Sequence, residues 1–237
     1  MSMLNHDSPI HRTMSLIADV AIVGILWTLT SLLLFTIGAS TTAAYYVLTK
    51  RVSGRESYIF KDYFKSFLGN LVKSTIIWVI LVVFFILLLL SVSLVEGEGI
   101  FNWVTLIVNY FLILQVTFIF VYIFPLIARF ESSIPTYFKQ AAFLANRHIF
   151  TTVANLLILL MLIFLSAYLH FLILFVMGIY CYVSSILVVK ILKKHRPDFD
   201  PVFEQEFLPF QIDEEFLDFS NEEVPDVENL SLNDKNI

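Results

Sequence analysis

TIGASTTAAYYVLTK, residues 36–50, decides how this chain folds. It joins a long apolar run to a basic one, and it gathers small residues, hydroxyls and a tyrosine pair into fifteen consecutive positions. In a bilayer, helices associate through close packing and interhelical hydrogen bonds, so small and hydroxyl side chains mark where they meet. Gly38 can bend the chain, and Ala39, Ser40, Ala43 and Ala44 allow a neighbouring helix to approach. Thr41, Thr42, Tyr45 and Tyr46 can bond exposed backbone at the interface, and Thr36 opens the same motif. The stretch reads as a hinge and packing node that sets the angle between a first membrane span and a basic interfacial helix.

The composition around this node belongs to a membrane protein. The chain has 237 residues, 58% of them hydrophobic, with a mean hydropathy of +0.82. Soluble domains carry roughly 45–50% apolar residues. Several charge-poor runs approach or exceed the roughly 20 residues that cross a hydrocarbon core about 30 Å thick. The expected fold is all-α: a polytopic membrane helix bundle of about five transmembrane helices. Two cytoplasmic amphipathic helices and an acidic, disordered C-terminal tail complete it.

The spans are expected at about 16–37, 75–95, 100–128, 151–168 and 171–190, within a transmembrane domain of residues 16–196. Residues 1–15 form a short N-terminal segment. The first run contains Ala18, Ala21, Gly24, Thr28 and Ser31 at spacings of three and four, which makes one face small. At about 22 residues it exceeds the 7–15 of a signal-peptide core and has little basic charge before it, so it is expected to be retained. In the loop after it, Ile59/Phe60, Tyr63/Phe64, Phe67/Leu68 and Leu71/Val72 repeat every four residues, with Lys61, Asp62, Lys65, Ser66 and Asn70 between them. This predicts an amphipathic helix lying in the membrane interface or packed on the protein's own cytoplasmic face. A second such helix follows Arg129, with Ser132 or Ser133 as its cap and Pro135 in its first turn. Pro125 falls near the end of the third span, where a kink costs least.

Charge sets an orientation and isolates the tail. Residues 1–197 hold 14 Lys+Arg and 7 Asp+Glu, a balance of +7, whereas residues 198–237 hold one Lys and 13 Asp+Glu, a balance of −12. With five spans, the excess of Lys and Arg in the loops predicts an N-terminus outside and both helical loops and the tail in the cytoplasm. The tail, residues 197–237, interleaves its acids with Phe199, Phe203 and Phe207 and suits docking on a basic surface.

No pattern for catalysis, metal or cofactor binding is present. His6, His11, His148, His170 and His195 are dispersed, Cys181 is the only cysteine, and there is no phosphate-binding glycine loop or nucleophile elbow. No enzyme activity, metal, cofactor or nucleic-acid partner is expected. The intramembrane polar candidates are Asp19, Asn109, Gln115 and Asn155, of which a structural role suits Asp19 better than a functional one.

Residues 36–50 with the following FKDYFKSFLGNLVKS, and the later run YIFPLIARFESSIPTYFKQAAFLANRHIFTT, resemble the YesL-like family of bacterial integral membrane proteins. The resemblance covers most of residues 15–190. It implies a plasma-membrane protein of a family without an established biochemical activity, encoded near sugar-transport genes. Two functions fit. One is a non-catalytic accessory or regulatory protein that binds a membrane transporter or sensor, associated with carbohydrate uptake. The other is a transporter subunit or small carrier, which would need polar groups converging at mid-membrane. Nothing in the sequence sets an oligomeric state.

Overall fold

The computed structural model describes residues 9–54, 57–95 and 99–195. The acidic tail, the first eight residues, Arg55-Glu56 and Glu96-Gly97-Glu98 lie outside these, so the expectations for the tail and for most of the N-terminal segment fall there too. Among the described residues the chain is an all-α bundle. Its helices are α1 (Pro9–Thr30), α2 (Ile37–Val52), α3 (Ile59–Ser93), α4 (Ile100–Arg129), α5 (Ile134–Arg147), α6 (Ile149–Tyr168) and α7 (Val176–His195), with short 3-10 turns at Leu34–Thr36 and His170–Leu174. Four helices are long and apolar enough to cross a membrane: α1 over Thr13–Thr30, α3, α4 and α6. The apolar part of α7, Val176–Ile191, is shorter.

The first correction concerns the opening span. A single helix over 16–37 was expected, but α1 ends at Thr30 and a new helix starts at Ile37. Hydroxyls cause the break. Thr36 Oγ1 donates to Leu33 O at 2.7 Å and to Thr30 O at 2.5 Å, Ser31 Oγ to Thr28 O at 3.2 Å, and Trp78 Nε1 to Leu34 O at 3.0 Å. Each takes up a carbonyl that the interrupted helix leaves open, which irregular backbone in an apolar setting requires. Leu32, Leu33, Leu34 and Phe35 remain exposed at the turn. Hydropathy runs unbroken through it.

The chain then doubles back. Arg51 Nε sits 2.8 Å from Asp19 Oδ2, Arg51 Nη2 donates to Ser15 Oγ at 2.9 Å, and Trp27 Nε1 donates to Thr41 Oγ1 at 3.0 Å. Helices α1 and α2 are therefore an antiparallel hairpin. Its turn meets α3 at Trp78, and α3 continues for 15 residues past that point, about 22 Å of helix at 1.5 Å per residue. The beginning of α1 lies at the same end of the bundle as Lys50 and Arg51. The expected single crossing over 16–37, which would separate its own beginning from these cations, is corrected accordingly.

The second correction merges two elements. The expected amphipathic helix at 59–72 and span at 75–95 form one continuous helix, α3. No proline interrupts it, and Gly69 faces open space. Its polar residues divide between two faces: Asp62, Ser66, Asn70 and Ser74 point inward at i, i+4 spacing, while Lys61 and Lys65 point outward among Phe60, Phe64 and Leu68. Packing on the bundle's own helices wins over lying flat in the interface because α2 offers the inner set a polar counterpart.

Helix α5 begins where Pro135 predicts. Its cap differs, since Ser133 Oγ pairs with Thr136 Oγ1 at 2.7 Å rather than with backbone. Tyr137 takes over the fixing of the α4–α5 connection, donating to Phe130 O at 2.5 Å and accepting from Ser132 N at 3.0 Å. Burial pushes this hydroxyl up to about 12, against the opposing effect of the Ser132 hydrogen bond, so it stays protonated and able to donate at physiological pH. Pro125 is buried inside the last turns of α4.

Candidate functional site

Helix α2 is the centre of the bundle. It packs on α1, α3, α4 and α7, and among the described residues its contact with α3 is the most extensive. A polar, 16-residue helix can be buried this deeply only if its hydroxyls are bonded. Ser40 Oγ donates to Thr36 O at 3.0 Å, Thr41 Oγ1 to Ile37 O at 2.7 Å, Thr42 Oγ1 to Gly38 O at 2.9 Å, and Thr49 to Tyr45 O. Each returns to the carbonyl one turn earlier, which removes the desolvation cost and leaves lone pairs for neighbours.

Those neighbours come from every side. Thr42 Oγ1 lies 3.0 Å from Ser74 Oγ on α3. Tyr45 OH donates to Ser184 Oγ on α7 at 3.0 Å, beside the buried Tyr180. Tyr63 OH lies 2.7 Å from Thr30 Oγ1 and donates a longer bond to Ser40 O at 3.4 Å. On the outer flank of α4, Thr152 Oγ1 donates to Tyr122 OH at 3.3 Å and to Ala145 O at 2.9 Å, tying α6 to α4 and α5. Tyr45, Tyr63, Tyr122 and Tyr180 thus bring four phenols from four helices into one interior. Cys181 is fully buried beside Tyr45 and Tyr180.

Backbones also touch. A Cβ on Gly38 would sit 2.6 Å from Ser74 O and 2.8 Å from Trp78 Cβ. Across the bundle Gly178 of α7 faces Gly24 of α1, where a Cβ on Gly178 would run into Val20 O and lie 2.9 Å from Gly24 N. Contacts this close exclude every side chain but hydrogen.

The cations of the hairpin end are paired rather than free. Asp62 Oδ2 accepts from Lys50 Nζ at 2.9 Å, Ser57 Oγ at 3.0 Å and Tyr58 N at 3.1 Å, so one carboxylate fixes both the end of α2 and the start of α3. Asp19, the candidate carboxylate of the first span, reaches Arg51 instead of lipid.

Of the residues singled out in the sequence, Thr36, Gly38, Ala39, Thr41, Thr42 and Tyr45 are buried in or next to α2, and Tyr46 is half-buried. The other polar candidates are not brought together with them. Asn109 is buried on α4 and donates to Thr105 O at 2.9 Å. Asn155, fully buried on α6, donates to Thr151 O at 3.0 Å, but its Oδ1 has no partner. Gln115 stands half-exposed on α4. The interior residues that sequence reading missed are Tyr63, Ser74, Tyr122, Thr152, Tyr180 and Ser184. The four-residue repeat of Asp62, Ser66, Asn70 and Ser74 was the signal available for the inner face of α3.

Chemically the core is a set of mutually bonded hydroxyls. Among the described residues, no group of three or more His, Cys, Asp or Glu side chains could hold a metal ion. No curated protein and no solved structure matches the chain. A family described as a protein of unknown function, DUF624, matches residues 20–92, the stretch from α1 through α3 that contains the hairpin and its junction with Trp78.

Proposed function

We propose that this protein is a non-catalytic accessory or regulatory protein of the plasma membrane that binds a transporter or sensor, in the setting of carbohydrate uptake. The observation that carries this reading is how the interior polar groups are used. From Thr30 to Ser184 most are bonded to one another or to backbone, and so they hold helices at fixed positions. A scaffold needs this arrangement; a conduction path needs groups left available. The outer faces of α3 and α6 stay apolar and uncovered, which leaves surface for a partner's helices. The carbohydrate setting follows from the resemblance to the YesL-like family, whose extent encloses the matched residues 20–92.

The positive-inside bias assigns the end bearing Lys50, Arg51, Lys61 and Lys65 to the cytoplasm. Because α1 begins at that same end and α7 runs antiparallel to α1 toward it, the start of α1 and the end of α7 are then both cytoplasmic.

A second reading, a transporter subunit or small carrier, draws on two fully buried groups without partners among the described residues, Asn155 Oδ1 and Ser185 Oγ. Affinity purification in mild detergent followed by mass spectrometry separates the two. Reproducible recovery of a sugar transporter is the expected result. Movement of a sugar into liposomes containing this protein alone, with no transporter recovered, would replace the first reading by the second.

A further inference from the structure

The geometry points to an interface between two copies of this chain along the outer half of α4, centred on Gln115. The polar side chains nearest to Gln115 on that half-helix are satisfied within it. Thr105 Oγ1 donates to Phe101 O, Asn109 Nδ2 to Thr105 O, and Thr117 Oγ1 to Ile113 O, at 2.8–3.0 Å. Gln115 makes no hydrogen bond among the described residues and is half-exposed. Its depth matters. The pairing of Trp78 with Phe120 and Phe124 puts Gln115 level with the middle of the apolar run of α3. An amide left there without a partner in hydrocarbon loses the hydrogen bonds it has in water.

Val104, Val108 and Phe111 share its helix face at spacings of four, three and four, and are 54%, 50% and 63% exposed. The same stripe continues inward as Phe118 and Tyr122, which are buried in the bundle. Only its outer half lacks a cover.

Lipid tails could cover the valines and the phenylalanine but not the amide. A partner of unrelated sequence would have to present a polar group at this depth by coincidence. A second copy does so by symmetry. A two-fold axis along the membrane normal carries each residue to its own depth on the partner, so Gln115 meets Gln115. A carboxamide has both a donor and an acceptor, and two of them satisfy each other. This inference does not depend on which transporter or sensor, if any, the protein serves.

The test uses the full chain in lipid nanodiscs and in native membranes. Single substitutions Val108→Cys and Val83→Cys, the latter on an exposed face of α3, are oxidised with copper phenanthroline. Cys181 is buried and does not contribute. Disulfide-linked homodimer at position 108 and little at 83 is expected. Gln115→Leu, which places an apolar residue toward lipid and should not disturb folding, should weaken dimerisation on the order of tenfold by mass photometry, with Gln115→Asn largely retaining it. Three results would each overturn the interface: a wild-type chain that is monomeric in nanodiscs at every concentration, equal cross-linking at 83 and 108, or a Gln115→Leu dimer as stable as wild type.

Discussion

Gly38→Leu is expected to leave no monodisperse folded protein. The first carbon of the new side chain would lie 2.6 Å from Ser74 O, 2.8 Å from Trp78 Cβ and 3.2 Å from the Phe124 ring. Two of these are fixed by α3 itself, so relief requires α2 and α3 to separate. Overpacking an ordinary core costs about 1–3 kcal/mol. Here the obstruction is backbone, and separation would also break the Thr42–Ser74 and Trp78–Leu34 hydrogen bonds, so the loss should exceed roughly 3 kcal/mol out of a typical 5–15. Size-exclusion profiles and melting curves in detergent provide the measurement. Gly69→Leu is the control, because a Cβ there meets nothing within 4 Å and the variant should elute as wild type. Normal elution of Gly38→Leu would mean that α2 and α3 are not packed as described.

Gly178→Leu should be nearly as damaging, through a different joint. Its Cβ would enter the backbone of α1 at Val20 O and Gly24 N. The α1–α7 crossing must open, and α7 then hangs on its contact with α2 through Tyr45 and Ser184. Cys181, one turn further along α7 and fully buried, reports the opening. Its reaction with a maleimide should be slow in wild type and rise steeply in the variant, along with a melting loss of several degrees. Unchanged protection of Cys181 together with an unchanged melt would contradict the glycine contact.

Hydropathy made the helical class and the presence of several long apolar helices legible in advance, since both depend on apolar runs of the right length. What it could not register was a break made by hydrogen bonds. Leu32, Leu33, Leu34 and Phe35 are as apolar as the helix before them, so the turn at 31–36 depends on where Thr30, Ser31 and Thr36 place their hydroxyls. That single missed turn reverses α2 and puts the start of α1 beside Arg51. The small residues and hydroxyls of 36–50 identified a packing node, but a local hinge does not describe a helix enclosed on four sides. The partners Tyr63, Tyr122, Tyr180 and Ser184 were invisible for another reason: a lone tyrosine or serine in an apolar run has no periodic signature. It acquires a role only when topology brings another hydroxyl within reach.

The hairpin also changes what the charged residues mean. Read along the sequence, Lys50, Arg51 and Asp62 belong to a solvated basic loop, and Asp19 is an isolated carboxylate in a span. In the fold they form two ion pairs at one end of the bundle, with N–O distances of 2.9 and 2.8 Å. Both are partly shielded, so breaking either leaves a poorly solvated charge. The Arg51–Asp19 pair locks the open end of the hairpin as the Thr36 hydroxyl locks its turn, and Lys50–Asp62 ties that end to α3.

The central claim is that α1 and α2 double back, placing the start of α1 on the cationic side. Single cysteines at Ser2, Lys61 and Val95, labelled with a membrane-impermeant maleimide in sealed vesicles of known orientation, address it directly. Antiparallel α1 and α2 predict that positions 2 and 61 react from the same face and position 95 from the opposite one. Reaction of positions 2 and 95 from one face, with 61 alone on the other, would mean that α1 and α2 are a single crossing and would remove the hairpin.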